Sequence, residues 1–118
     1  MLTISRAVWL RGERESMLYR PEDGKMCCLG IYLESLGVSK ESMKGCDTPG
    51  HYYGDRKAGR PKTPAWLLRY DGMIRPYAST LAMRLMEVND NPDYTDEERE
   101  WLIEDGFGYV GIQVRFIE

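Results

Sequence analysis

Nothing in this 118-residue chain approaches the roughly 18 consecutive apolar residues that a membrane span requires. The opening stretch M-L-T-I-S-R-A-V-W-L-R also lacks a basic leader followed by an apolar block and a small-residue cleavage site. A membrane protein and a secreted one are therefore not expected, and a cytosolic one is. Cysteine is scarce as well, with three residues, an odd number, of which Cys27 and Cys28 are adjacent and badly placed to bridge each other. That argues against a disulfide framework and fits reduced thiols in the cytoplasm. There is no G-x-x-x-x-G-K-[ST] phosphate loop, and internal repeats, low-complexity tracts and domain linkers are missing too.

What is present describes one ordered domain spanning residues 1–118. The chain is 42% hydrophobic with three Trp and eight Tyr, enough for a core of its own, and its 30% charged residues suit an ordinary surface. The net charge of -3 hides a polarity: residues 1–86 carry 14 Lys/Arg against 9 Asp/Glu, and residues 87–118 carry 2 against 10. Such asymmetry can create separate electrostatic faces that steer partners, or merely solvate the surface.

Residues 3–10, rich in β-formers, and S-M-L-Y-R at 16–20 read as a β-hairpin. Asp23 then caps a helix over about 24–36 with Met26, Leu29, Leu33 and Leu36 on one stripe, stopped by Gly37. Ser39 caps a short turn of helix closed by Gly45. The stretch from Cys46 to Pro64, dense in Gly, Pro and basic residues, reads as a long exposed loop. Asp71-Gly72 suits a second hairpin between W-L-L-R-Y and M-I-R-P-Y, with Pro76 on an edge strand. Ser79 caps a helix to about 88, ended by N-D-N-P. Thr95 and Glu98 form a T-x-x-E capping box before a helix over 96–105 closed by Gly106, and Ile112, Val114 and Phe116 share one face of a last strand. The expected fold is α+β: a small, mainly antiparallel sheet of about four to five strands packed against about three helices.

The stretch M-C-C-L-G-I-Y-L-E-S-L-G-V, followed by T-P-A-W, T-L-A-M-R-L-M-E-V-N-D-N and the strand G-I-Q-V-R-F, resembles a family of small uncharacterised proteins encoded by bacteriophages and prophages. Its distinctive parts are a C-C-L-G helix, here Cys27, Cys28, Leu29 and Gly30, and a downstream N-D motif, here Asn89 and Asp90. The resemblance implies an accessory product acting in the bacterial cytoplasm, of a kind that often modifies the host or blunts its defences. It implies no catalytic residue.

Four constellations could carry chemistry. Cys27 near a helix N-terminus is placed for a lowered thiol pKa, and with His51 and Asn89 it follows the Cys, His, Asn order of papain-like folds, which suits acyl transfer. Small core residues are the plainer reading of this thiol pair, Cys28 above all. Cys27, Cys28, Cys46 and His51 make four potential zinc ligands, but adjacent cysteines on a helix diverge by about 100° and C-C lacks the C-x-x-C spacing, so neither a metal nor any other cofactor is expected. Tyr52, Tyr53, Arg56, Lys57 and Arg60 combine stacking rings with cations, which suits a phosphate-bearing ligand such as a nucleotide. A pI near 5.3 argues against a duplex-DNA binder. Finally, nine acidic residues between Glu87 and Asp105 face only Arg99 as counter-charge, a pattern able to grip a basic partner. Asp96, Glu97 and Glu98 are already accounted for by the helix dipole. Trp101, Leu102 and Trp66 read as core.

The resulting expectation is a non-enzymatic, phage-type binding protein that counteracts a host defence or regulatory system. It would sequester a phosphorylated, nucleotide-type signal or block a host protein, through Tyr52, Tyr53, Arg56, Lys57 and Arg60, with Asn89 and Asp90 second. The alternative is a Cys-dependent hydrolase or transferase using Cys27, His51 and Asn89. The sequence leaves a homo-oligomer open.

Overall fold

The first and last strands of the chain pair with each other. β1 (Leu2–Ser5) runs parallel to β2 (Val114–Ile117), in the register Leu2 to Val114, Thr3 to Arg115, Ile4 to Phe116 and Ser5 to Ile117. Between them lie α1 (Cys28–Ser35), α2 (Lys40–Met43), α3 (Thr80–Asp90) and α4 (Asp96–Gly108). A computed structural model describes residues 1–14, 17–46, 66 and 80–118. Among those residues, four helices accompany one two-stranded parallel sheet, which corrects the expected four-to-five-stranded, mainly antiparallel one. The segments at 46–65 and the Asp71-Gly72 hairpin, apart from Cys46 and Trp66, lie outside the described residues.

The physical reason begins at Ser5. Strict alternation through T-I-S-R-A-V-W-L would put Ile4, Arg6 and Val8 on one face, yet Ile4, Trp9 and Leu10 are all buried while Val8 is exposed. A turn closed by the Val8 N–H on the Ser5 carbonyl (3.2 Å) shifts the phase, so burying Trp9 and Leu10 overrides the two-residue period. Instead of returning as a hairpin, the chain makes single bridges: Trp9 with Met26 and Tyr19 with Lys44, both parallel, and Arg20 with Lys25, antiparallel. Asp23 serves that last turn. Its Oδ1 accepts from the Lys25 N–H at 3.1 Å, and its carboxylate pairs with Arg20. The helix therefore starts at Cys28, four residues later than Asp23 capping requires.

α1 is buried on every side from Cys28 to Leu33, which is why it needs no single apolar stripe. Its glycine explains how it fits: a Cβ on Gly30 would stand 2.0 Å from the Leu18 carbonyl oxygen, so no larger residue permits this approach. α2 carries the expected Ser39 cap, accepting from the Ser42 N–H at 3.2 Å. α4 carries the expected Thr95–Glu98 capping box, with both reciprocal hydrogen bonds formed (2.9 and 3.1 Å). It continues past Gly106, whose Cβ would lie 2.7 Å from Leu85 Cδ2; that glycine serves the close approach of α3 and α4 and does not stop the helix. Trp66, with helical backbone, packs against Tyr32 and Phe107 at ring-centroid distances of 5.7 and 6.1 Å. No helix among the described residues is long and apolar enough to cross a membrane.

Candidate functional site

The C-C-L-G and N-D motifs meet in one buried joint. α3 runs to Asp90, beyond the expected end near 88, so Asn89 sits in its last turn with its side chain against the start of α1. Asn89 Oδ1 accepts from Trp9 Nε1 at 2.7 Å and from the Cys28 backbone N–H at 3.0 Å. Its Nδ2 donates to the Leu10 carbonyl at 2.9 Å and to Asp90 Oδ1 at 3.0 Å. Asn89 is thus an N-terminal cap for α1 supplied from another helix, needed because Cys27, at the cap position, makes no side-chain cap of its own. With its amide engaged on both ends and 1% of its surface exposed, Asn89 organises packing.

Cys27 lies in the same joint, 2% exposed, and its thiol is pushed up to about 12. Burial is the dominant cause, and the Asp90 carboxylate adds to it. The backbone N–H groups of Gly30 and Leu29 pull the other way. The helix N-terminus therefore acts as the sequence suggests, but desolvation outweighs it and the proton stays on at neutral pH. Cys28 is buried too, its thiol pushed well above its ordinary value by burial, with Sγ 3.9 Å from the Leu85 carbonyl. Cys46 is buried and unbridged. No group of three or more His, Cys, Asp or Glu side chains is arranged for a metal among the described residues. His51, Tyr52, Tyr53, Arg56, Lys57 and Arg60 lie outside them.

A second buried polar group escaped the sequence reading. Arg99, 2% exposed, is on the inward face of α4. It donates from Nε to the Val88 carbonyl (3.1 Å), from Nη2 to the carbonyls of Asn91 (2.6 Å) and Tyr94 (3.1 Å), and from Nη1 to Asp96 (2.9 Å). A cation among the carbonyls that end α3 is favoured by the helix dipole. Its signal in the sequence was positional: Arg99 is the lone cation in the acidic run, four residues before Ile103.

The remaining candidate lies on the other side of α4. Trp101, read as core, is 64% exposed. Arg99, Ile103, Gly106 and Phe107 take the inward face, whereas Glu97, Trp101, Glu104 and Asp105 fall at i, i+4, i+7 and i+8 on the outward one. Trp101 borders two grooves. The larger, about 750 Å³, is also lined by Met1, Glu104, Asp105, Tyr109 and Val114, and the smaller, about 490 Å³, by Thr95, Glu97, Glu98 and Leu102. Tyr109 is 69% exposed.

No family model, curated protein or solved structure matches the chain.

The acidic residues of α4 divide by use. Asp96 pairs with Arg11 and Arg99, Glu98 completes the capping box, and Glu100 pairs with Arg6 at 2.7 Å. Glu97, Glu104 and Asp105 form no ion pair with a described residue, and they lie one turn before and one turn after Trp101 on the outward face. An exposed indole with carboxylates one turn before and one turn after it, none ion-paired to a described residue, is suited to holding a cationic, partly apolar surface.

Proposed function

We propose that the protein is a non-enzymatic binding protein that blocks a basic host protein, docking it on the outward face of α4. The observation that carries this reading is the 64% exposure of Trp101 between carboxylates that form no ion pair with a described residue. Large aromatic side chains gain by burial, and they recur as anchors at protein interfaces. A basic partner follows from charge: a cationic surface is steered to this face, and an acidic one is repelled.

The proposal keeps the phage-type origin and bacterial cytoplasmic setting implied by the resemblance to the C-C-L-G and N-D family. Three reduced, buried thiols support that compartment. Sequestration of a nucleotide-type signal rests on Tyr52, Tyr53, Arg56, Lys57 and Arg60, outside the described residues, so the protein-blocking branch is the one supported by geometry. The test is capture from bacterial lysate with wild-type and Trp101→Ala baits side by side. A basic protein held by the wild type and lost by the variant supports the reading; identical captures by both baits count against it.

A further inference from the structure

We infer that the group recognised on the outward face of α4 is an arginine side chain of the basic partner, stacked on the Trp101 indole and paired with the carboxylates one turn to either side. The inference rests on the docking reading above and narrows it to one chemistry.

Two joints within the molecule already use this chemistry. Arg6 has its guanidinium carbon 5.8 Å from the Phe116 ring centroid, and donates to both carboxylate oxygens of Glu100 at 2.7 and 2.8 Å. Arg11 lies 4.8 Å from the Trp9 ring centroid and donates from Nε to Asp96 at 3.4 Å. In both joints a guanidinium covers an aromatic ring while a carboxylate of α4 holds its edge. The outward face presents the same parts. The Trp101 ring is exposed, Glu97 lies one turn before it, and Glu104 and Asp105 lie one turn after it. Gly108, a further turn on, adds no bulk there, since a Cβ on it would meet nothing within 4 Å.

The geometry also discriminates between cations. A guanidinium is flat and weakly hydrated, so it can lie on the indole while its edge N–H groups reach carboxylates on either side. A lysine ammonium is a compact, strongly hydrated point charge, and loses more hydration for fewer simultaneous contacts. Phosphate-bearing ligands are repelled by the same three carboxylates. The groove beside Trp101, about 750 Å³ and open to solvent, carries Glu104 and Asp105 in its lining.

Calorimetric titration of the full chain with nona-arginine and nona-lysine peptides tests this, in buffer of moderate ionic strength, with circular dichroism to verify that each variant is folded. Nona-arginine should bind about fivefold or more tightly than nona-lysine. That preference should collapse in Trp101→Leu, which keeps apolar bulk but removes the ring, and Glu104→Gln with Asp105→Asn should weaken both peptides. Equal affinity for the two peptides, an arginine preference that survives Trp101→Leu, or no binding of either would overturn the inference. None of those results decides the docking reading, which Trp101-dependent capture tests separately.

Discussion

The inward and outward faces of α4 each combine charged and aromatic side chains and do opposite things with them. Inward, Arg99 is buried with each donor group on a carbonyl or carboxylate, beside Ile103 and Phe107 in the core. Outward, Trp101 is in solvent and Glu97, Glu104 and Asp105 have no described counter-ion. The same contrast separates the α1–α3 joint, where no described buried side-chain polar atom lacks a partner, from the groove by Trp101. On the proposed reading, chemistry-bearing residue types mark function only where the fold leaves them unsatisfied. Cys27, Cys28 and Asn89 attract attention in the sequence, yet the fold uses them.

Changes in the joint should give the largest effects. Asn89→Ala strips partners from the Trp9 indole N–H, the Cys28 N–H and the Leu10 carbonyl. Each buried group left unsatisfied costs about 1–3 kcal/mol, so a loss of about 4 kcal/mol is expected from urea unfolding. Gly30→Ala forces a methyl into the Leu18 carbonyl and should cost about 3 kcal/mol, read the same way, because backbone has to move. Arg99→Met keeps the length of the stem but abandons three carbonyls, and about 2 kcal/mol of stability should go with it.

The thiol gives a smaller, pH-dependent effect. Cys27 is raised in the folded protein from 9.0 to about 12, so the folded state keeps a proton that the unfolded chain releases. Its contribution is fully present below about pH 9 and is lost as pH rises from there toward 12. Unfolding by urea at pH 7 and pH 10 should show about 1 kcal/mol less stability at the higher pH from this group. That decrement should shrink in Cys27→Ala; an undiminished one would contradict the buried, protonated thiol. The smallest expected effect is spectroscopic. Caesium ion should quench the tryptophan fluorescence more than iodide does, because Trp101 sits among carboxylates, and the difference should vanish in Trp101→Phe.

Features set by neighbours in the chain were legible in the sequence. The Ser39 cap, the Thr95–Glu98 box, the stop at Gly37 and the inward Val114 and Phe116 each depend on residues a few positions apart, and each forms. Features set by distant partners were not. β1 finds its partner at the far end of the chain, so its strand character pointed to a hairpin that the described residues do not form. Asn89 caps a helix that starts 61 positions earlier, and nothing local distinguishes it from a loop asparagine. The helix period of α4 misled for a chemical reason: a cation occupies an inward position and an indole an outward one, so residue type and burial disagree at both.

The most direct test of the account is the urea midpoint of Trp101→Ala measured beside that of Asn89→Ala. A change on the outward face should stay within about 0.5 kcal/mol of wild type, as surface substitutions do, while the joint variant falls steeply. A Trp101→Ala protein destabilised as much as Asn89→Ala would mean that the outward face is structural, and the proposed docking surface would lose its basis.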